Sequence, residues 1–153
     1  MTVQAIPEGY HSVNPVLIVQ DGRKAVDFYK KVFGATERMF MTDPDGNLAH
    51  AEIEISGSTI MLGEENPDWH NQSPASLGGT PVVIHIYVED VDTVAKKAVD
   101  AGSEMLFPVE DQFYGDRSGR LKDPFGHMWM IATHKEDVSP EEIEERAAAL
   151  FGG

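Results

Sequence analysis

Residues 13–34, VNPVLIVQDGRKAVDFYKKVFG, and residues 82–102, VVIHIYVEDVDTVAKKAVDAG, read as one strand–helix unit written twice. In the first, the apolar run Val13 to Val19 predicts a strand and Asp21 stands where a helix cap belongs. Ala25, Phe28, Tyr29, Val32 and Phe33 then fall at i, i+3, i+4, i+7 and i+8 before Gly34 closes the helix. In the second, Val82 to Val88 is the strand, Asp90 the cap, and Val91, Val94, Ala95, Ala98 and Val99 the apolar stripe ahead of Gly102. Asp21 and Asp90, Gly46 and Gly115, and Gly57 and Gly126 all lie 69 residues apart. Glycine is what turns with positive φ select, so glycines repeated at one spacing mark a duplicated backbone.

After each helix come three further strand signals. In the first copy these are Glu37 to Thr42, Leu48 to Ile55 and Thr59 to Gly63, divided by a DPDGN turn and a Ser-Gly pair. The second copy has Glu104 to Pro108, Arg117 to Lys122 and His127 to Thr133, with DPFG before the last. The fold class is therefore α+β, two βαβββ modules in tandem. The expected organisation is an N-terminal segment 1–12, a module over 13–65, a linker over 66–80, a module over 81–135 and an acidic C-terminal helix over 136–153. Ser139, Pro140 and Glu142 supply the N-cap, first-turn proline and capping box of that helix.

With 153 residues, 41% of them hydrophobic, the chain is long enough to bury a core. A formal net charge of -14 repels phosphate backbones and anionic lipid, so neither nucleic acid nor a membrane surface is an expected partner. No apolar run approaches the roughly 20 residues of a membrane span, and the expectation is a cytoplasmic protein. The absence of cysteine leaves only His and carboxylate groups to hold a metal. No phosphate-cradling glycine loop, dinucleotide fingerprint or nucleophile elbow is present.

The paired modules, the Asp21 to Tyr29 pattern DxxxxxxFY, the Asp90-led second helix and DPFGHMWMI together resemble the vicinal oxygen chelate superfamily. That superfamily includes glyoxalase I, bleomycin-resistance proteins, fosfomycin-resistance enzymes and extradiol dioxygenases. HAEIEISGSTIMLGEE and EDQFYGDRSGRLKDPFGHMWMIATHKEDVSPEE are similar to a bacterial subgroup called glyoxalase-like or 3-demethylubiquinone-methyltransferase-like, most of it without an assigned activity. The resemblance implies sheets curled around a cleft, helices outside, and homodimers that sometimes exchange modules. It also implies one metal ligand on the first and one on the last strand of each module. Carried over, those positions are Asn14 and Met61, then Val83 and Met130, again 69 apart. Valine and methionine do not suit hard or borderline divalent ions, so no metal is expected at the usual places and no cofactor is implied.

Strand alternation predicts which side chains face the cleft. With Ala51, Ile53 and Ile55 turned to the helix, His50, Glu52 and Glu54 face inward; Val83, His85, Tyr87, Met128 and Met130 do so in the second module. Arg117 shares the parity of Leu48 and is expected to face inward too, beside Gln112, Phe113 and Tyr114. Each has a plainer reading. His85 is equally a hydrogen-bonded structural histidine, His50 with Glu52 a solvated strand edge, and Met61, Met128 and Met130 core filling. The plainer reading of Arg117 is a surface ion pair with Asp116 or Asp123, and that of Phe113 with Tyr114 a packed hairpin tip. A substitute metal site from His50, Glu52 and His85 is an alternative. Two functions follow: a metal-free protein enclosing a small, partly aromatic or amphipathic organic molecule, or a glyoxalase- or isomerase-type enzyme. In the enzyme reading His85 or Glu52 is the general base and Arg117 holds an anionic or carbonyl substrate.

Overall fold

The computed structural model, which describes residues 2–152, bears out both aspartate caps. Asp21 Oδ1 accepts from the Lys24 amide at 3.1 Å and Asp90 Oδ1 from the Thr93 amide at 3.2 Å. They open helices α1 (Gly22–Phe33) and α3 (Val91–Asp100). The first amide of each helix is also held from the last strand of its own repeat. Gly22 N donates to Glu64 Oε1 at 2.9 Å and Val91 N to Thr133 Oγ1 at 3.0 Å. Both donors and both acceptors are 69 residues apart, so the duplication extends to a single tertiary hydrogen bond.

One compact unit holds the chain up to Pro81 together with Phe125–His127; the other holds Val82–Pro124 and everything from Met128 onward. In the first, β1 (Val16–Val19), β2 (Thr36–Thr42), β3 (Leu48–Ile55) and β4 (Ser58–Glu64) form a sheet ordered β1-β4-β3-β2, with β1 parallel to β4 and the other pairs antiparallel. Its helix side buries Leu17, Val19, Ile53, Ile60 and Leu62 under Ala25, Tyr29 and Val32. Each such apolar side chain contributes roughly 1.5–3 kcal/mol by leaving water. Phe125 adds its ring at 5.8 Å from that of Phe28, and His127 Nε2 donates to the Ile18 carbonyl at 2.9 Å.

In the second unit, β5 (Val83–Tyr87), β6 (Glu104–Asp111), β7 (Asp116–Lys122) and β8 (Met128–His134) repeat the arrangement as β5-β8-β7-β6. Leu121, Trp129 and Ile131 are buried towards α3, with Trp129 Nε1 donating to Asp123 at 2.9 Å. The C-terminal helix α4 spans Pro140–Phe151 and is capped by Ser139 Oγ, which accepts from the Glu142 amide at 3.2 Å.

The stretch expected as a linker is locally ordered. Asn66 and Ser73 each cap a turn opened by proline, a 3-10 turn at Pro67–Trp69 and the short helix α2 at Pro74–Leu77. Among the described residues no helix is long and apolar enough to cross a membrane.

Candidate functional site

Each sheet has a second face that its own helix does not cover. Strand register fixes what lies in a row across it. On the first sheet the row reads Met39, Glu52, Met61, Val16 from β2 to β1; on the second it reads Phe107, Arg120, Met130, His85 from β6 to β5. The methionine is shared by the repeats. The carboxylate of one is replaced by the guanidinium of the other, and the aliphatic Val16 by the imidazole of His85.

Glu52, read from sequence as a strand-edge group or base, is a buried carboxylate, 7% exposed at the centre of the first sheet. One oxygen accepts from the hydroxyl of Tyr10, and the other lies 2.9 Å from His50 Nε2. The Tyr10 bond, followed by the His50 contact, holds the Glu52 carboxyl below its ordinary range against the opposing effect of burial. The same bond raises the Tyr10 phenol. Tyr10 is a residue that sequence reasoning missed. It belongs to no strand or helix, and no pattern in the sequence around it signals that Gly9 and Tyr10 lie on the open face, where Thr59 also donates to Gly9 O at 2.6 Å.

On the second sheet His85 is exposed, its ring 4.6 Å from that of Tyr87. Tyr87 donates to the buried Asp116 at 2.9 Å, and Asp116 in turn meets His134 Nδ1 at 2.8 Å. Asp116 first and then Asp137 raise the His134 imidazole. Met128 and Met130 are half-buried on the open side, and Val83 pairs with Met128. A concavity of about 230 Å³ opens over β6 and β7, lined by Phe107, Gln112, Ser118, Arg120 and Met130, with Glu110 and Pro108 at its edge.

One expectation changes, for Arg117, and one open alternative is decided, for Phe113 and Tyr114. Arg117 does not face inward: its guanidinium grips Asp92 in the first turn of α3 at 2.9 and 3.0 Å and Asp111 at 3.2 Å. Its own register sets it opposite Thr133, which faces α3, and the parity borrowed from Leu48 fails because of a shift in the β2–β3 pairing, where Met41 opposes His50 but Thr42 opposes Leu48, skipping Ala49. A one-residue slip moves a side chain to the other face. Leu48 is consequently buried beside Gly22, and Arg117, its counterpart, goes to the helix side as well. Phe113 packs edge-on against Phe151 of α4, ring centroids 5.8 Å apart, while Arg146 donates to its carbonyl at 3.0 Å. Tyr114 stands edge-on to Phe113 at 5.2 Å, so the pair forms a packed tip.

The positions that the resemblance assigns to metal ligands carry poor donors. Asn14 precedes β1, and its side-chain amide is engaged by the His11 backbone, accepting at 3.2 Å and donating at 2.6 Å. In register Met61 lies beside Val16 and Met130 beside His85, while Val83 lies beside Met128. Of Asn14, Met61, Val83 and Met130 only the asparagine offers an oxygen donor, whereas a divalent ion needs several nitrogen or oxygen donors. Among the described residues no three His, Cys, Asp or Glu side chains converge to supply them.

A second concavity, about 320 Å³, lies beside Gln20, Asp43, Glu64 and Trp69. Its carboxylates serve local structure: Glu64 holds Gly22, and Asp43 accepts from the Asp45 and Asn47 amides at 2.9 Å each.

Sequence comparison adds an uncharacterized protein of Mycobacterium bovis, 42% identical over 145 residues that cover 93% of this chain and 95% of that one. Among solved structures, the manganese- and sulfate-bound fosfomycin resistance protein of Listeria monocytogenes superposes with a TM-score of 0.63 at 22% identity, covering 86% of this chain and 95% of that one. The PhnB protein of Bacillus cereus, a candidate 3-demethylubiquinone-9 3-methyltransferase, does so with 0.64 at 18%, covering 80% and 99%. At these identities the two structures speak to the fold. Residues 11–131 match the Glyoxalase/Bleomycin resistance protein/Dioxygenase superfamily across both repeats, and the chain belongs to that superfamily.

Proposed function

We propose that this protein binds a small organic molecule on the open side of its sheets without a metal ion, in the manner of a bleomycin-resistance protein. The observation that carries the reading is the composition of the two rows. The positions that the resemblance assigns to metal ligands carry Asn14, Met61, Val83 and Met130, and the rows beside the two methionines add Val16 and His85. Thioethers and an exposed aromatic ring make an adaptable apolar surface, and Phe107 is 62% exposed on it. Glu52 supports binding over catalysis, because the hydrogen bonds from Tyr10 and His50 hold its carboxyl below the ordinary range, which makes it a weaker base. The exposed Val16, Met39 and Met41 on the first sheet also support a homodimer that shields them. A cytoplasmic location fits the same reading.

The test is a thermal-shift screen of small organic molecules run in excess EDTA. A true ligand at about a hundredfold excess over its Kd raises Tm by roughly 5–10 °C, because it binds only the folded chain. A library in which stabilisation appears only when divalent metal is restored contradicts the reading.

A further inference from the structure

The chain has five arginines, and among the described residues four of them face a carboxylate: Arg23 with Glu37, Arg38 with Glu54, Arg117 with Asp92, Arg146 with Glu136. Among the described residues Arg120 has no ion-pair partner, in a chain with 26 acidic residues and 12 basic ones. It is not a solvated surface residue either. It is half-buried at the centre of β7, on the open side of the sheet, with its guanidinium 5.7 Å from the Phe107 ring. A cation placed partly out of water without a counter-charge is costly unless an anion arrives to pair with it.

We propose that the concavity at Arg120 binds a small, flat monocarboxylate; this rests on the small-molecule reading above and specifies its ligand. The planar guanidinium fork matches a carboxylate through two parallel hydrogen bonds. Phe107 and Met130 flank Arg120 on either side in the row, giving a flat apolar body a ring face and a thioether to lie against. Ser118 and Gln112 supply polar edges, although the Gln112 amide already donates to Ser118 O at 3.5 Å. Two features select a single negative charge. The Glu110 carboxylate lines the same concavity and offsets part of the Arg120 charge, and the net charge of -14 repels a dianion more strongly than a monoanion. The size, about 230 Å³, lies below the roughly 300 Å³ at which drug-sized sites begin, so a one- or two-ring acid fits.

The probes are benzoate, its neutral isostere benzamide, and inorganic phosphate, titrated into the full chain while the methionine methyl signals are followed by NMR. Benzoate is expected to shift Met130 in a saturable way, and benzamide to bind about tenfold more weakly or worse. Arg120→Gln should lose about the same factor for benzoate, whereas Arg117→Gln, whose guanidinium is already committed to Asp92 and Asp111, should leave the affinity unchanged. Benzamide binding as tightly as benzoate overturns the arginine assignment while small-molecule binding stands, and this comparison needs no variant to fold. Phosphate shifting Met130 as strongly as benzoate marks a bare anion site and also overturns it. No shift with either arene, together with no stabiliser in the screen, removes both readings.

Discussion

Gly115→Ala is expected to destabilise the protein by about 2–5 kcal/mol, while Gly46→Ala, its counterpart 69 residues earlier, costs about 1–2 kcal/mol. Both glycines have positive φ, +105° and +87°, so alanine at either is strained. They differ in what surrounds them. A Cβ at Gly46 meets nothing within 4 Å, whereas one at Gly115 would sit 2.3 Å from the Glu136 carbonyl oxygen and 3.1 Å from Val138. The Gly115 carbonyl also accepts from Lys135 N at 2.9 Å and Glu136 N at 3.1 Å. The methyl would therefore push away the segment leading to α4 and disturb the hairpin tip that carries Gln112. For a chain of this size the two variants should be separated by roughly 4–12 °C in Tm. Equal Tm losses in the two would contradict the account of Gly115.

Tyr10→Phe is the second large effect. The substitution removes a hydroxyl that donates to a carboxylate buried at the centre of a sheet, and hydrogen bonds to charged groups are among the stronger ones. A Tm loss of roughly 3–8 °C at neutral pH is expected. The pH dependence has a definite sign at both ends. Glu52 has a lowered folded pKa, so its contribution is present above the ordinary glutamate range and is lost as pH falls through the folded value. Tyr10 has a raised folded pKa, so its contribution is present below the ordinary tyrosine range and is lost as pH rises through the folded value. The difference between native protein and variant should thus be widest between these limits and narrow towards both. A difference that is constant from acid to alkaline pH would mean that the loss does not come from the hydrogen bond to the Glu52 carboxylate.

The duplication was legible because it rests on local chemistry. Aspartate caps, helical stripes and turn glycines each need only a few neighbouring residues, and the pairing of Gly22 with Glu64 and Val91 with Thr133 shows how far one spacing carries. What that spacing could not show is where a strand slips. Leu48 and Arg117 alternate correctly with their neighbours on paper, yet the shift at Ala49 turns Leu48, and with it the prediction for Arg117, to the helix side. The cation on the open face is Arg120 instead, and register against Met130 is the signal that identifies it. Tyr10 was out of reach for another reason, since its partner lies 42 residues away and its own segment has no periodicity. Phe113 follows the same logic: its ring is satisfied by Phe151 at the far end of α4, a contact that no local pattern encodes.

The claim at the centre of this account is that the open faces bind organic ligands without a metal. Titrating Mn²⁺ and Ni²⁺ into the full chain, with the methionine methyl and His85 ring signals observed by NMR, tests it most directly. The account predicts no saturable broadening of Met61, Met130 or His85, because the row positions carry one nitrogen donor among valine and methionine. Stoichiometric binding of either ion that broadens those signals would contradict it.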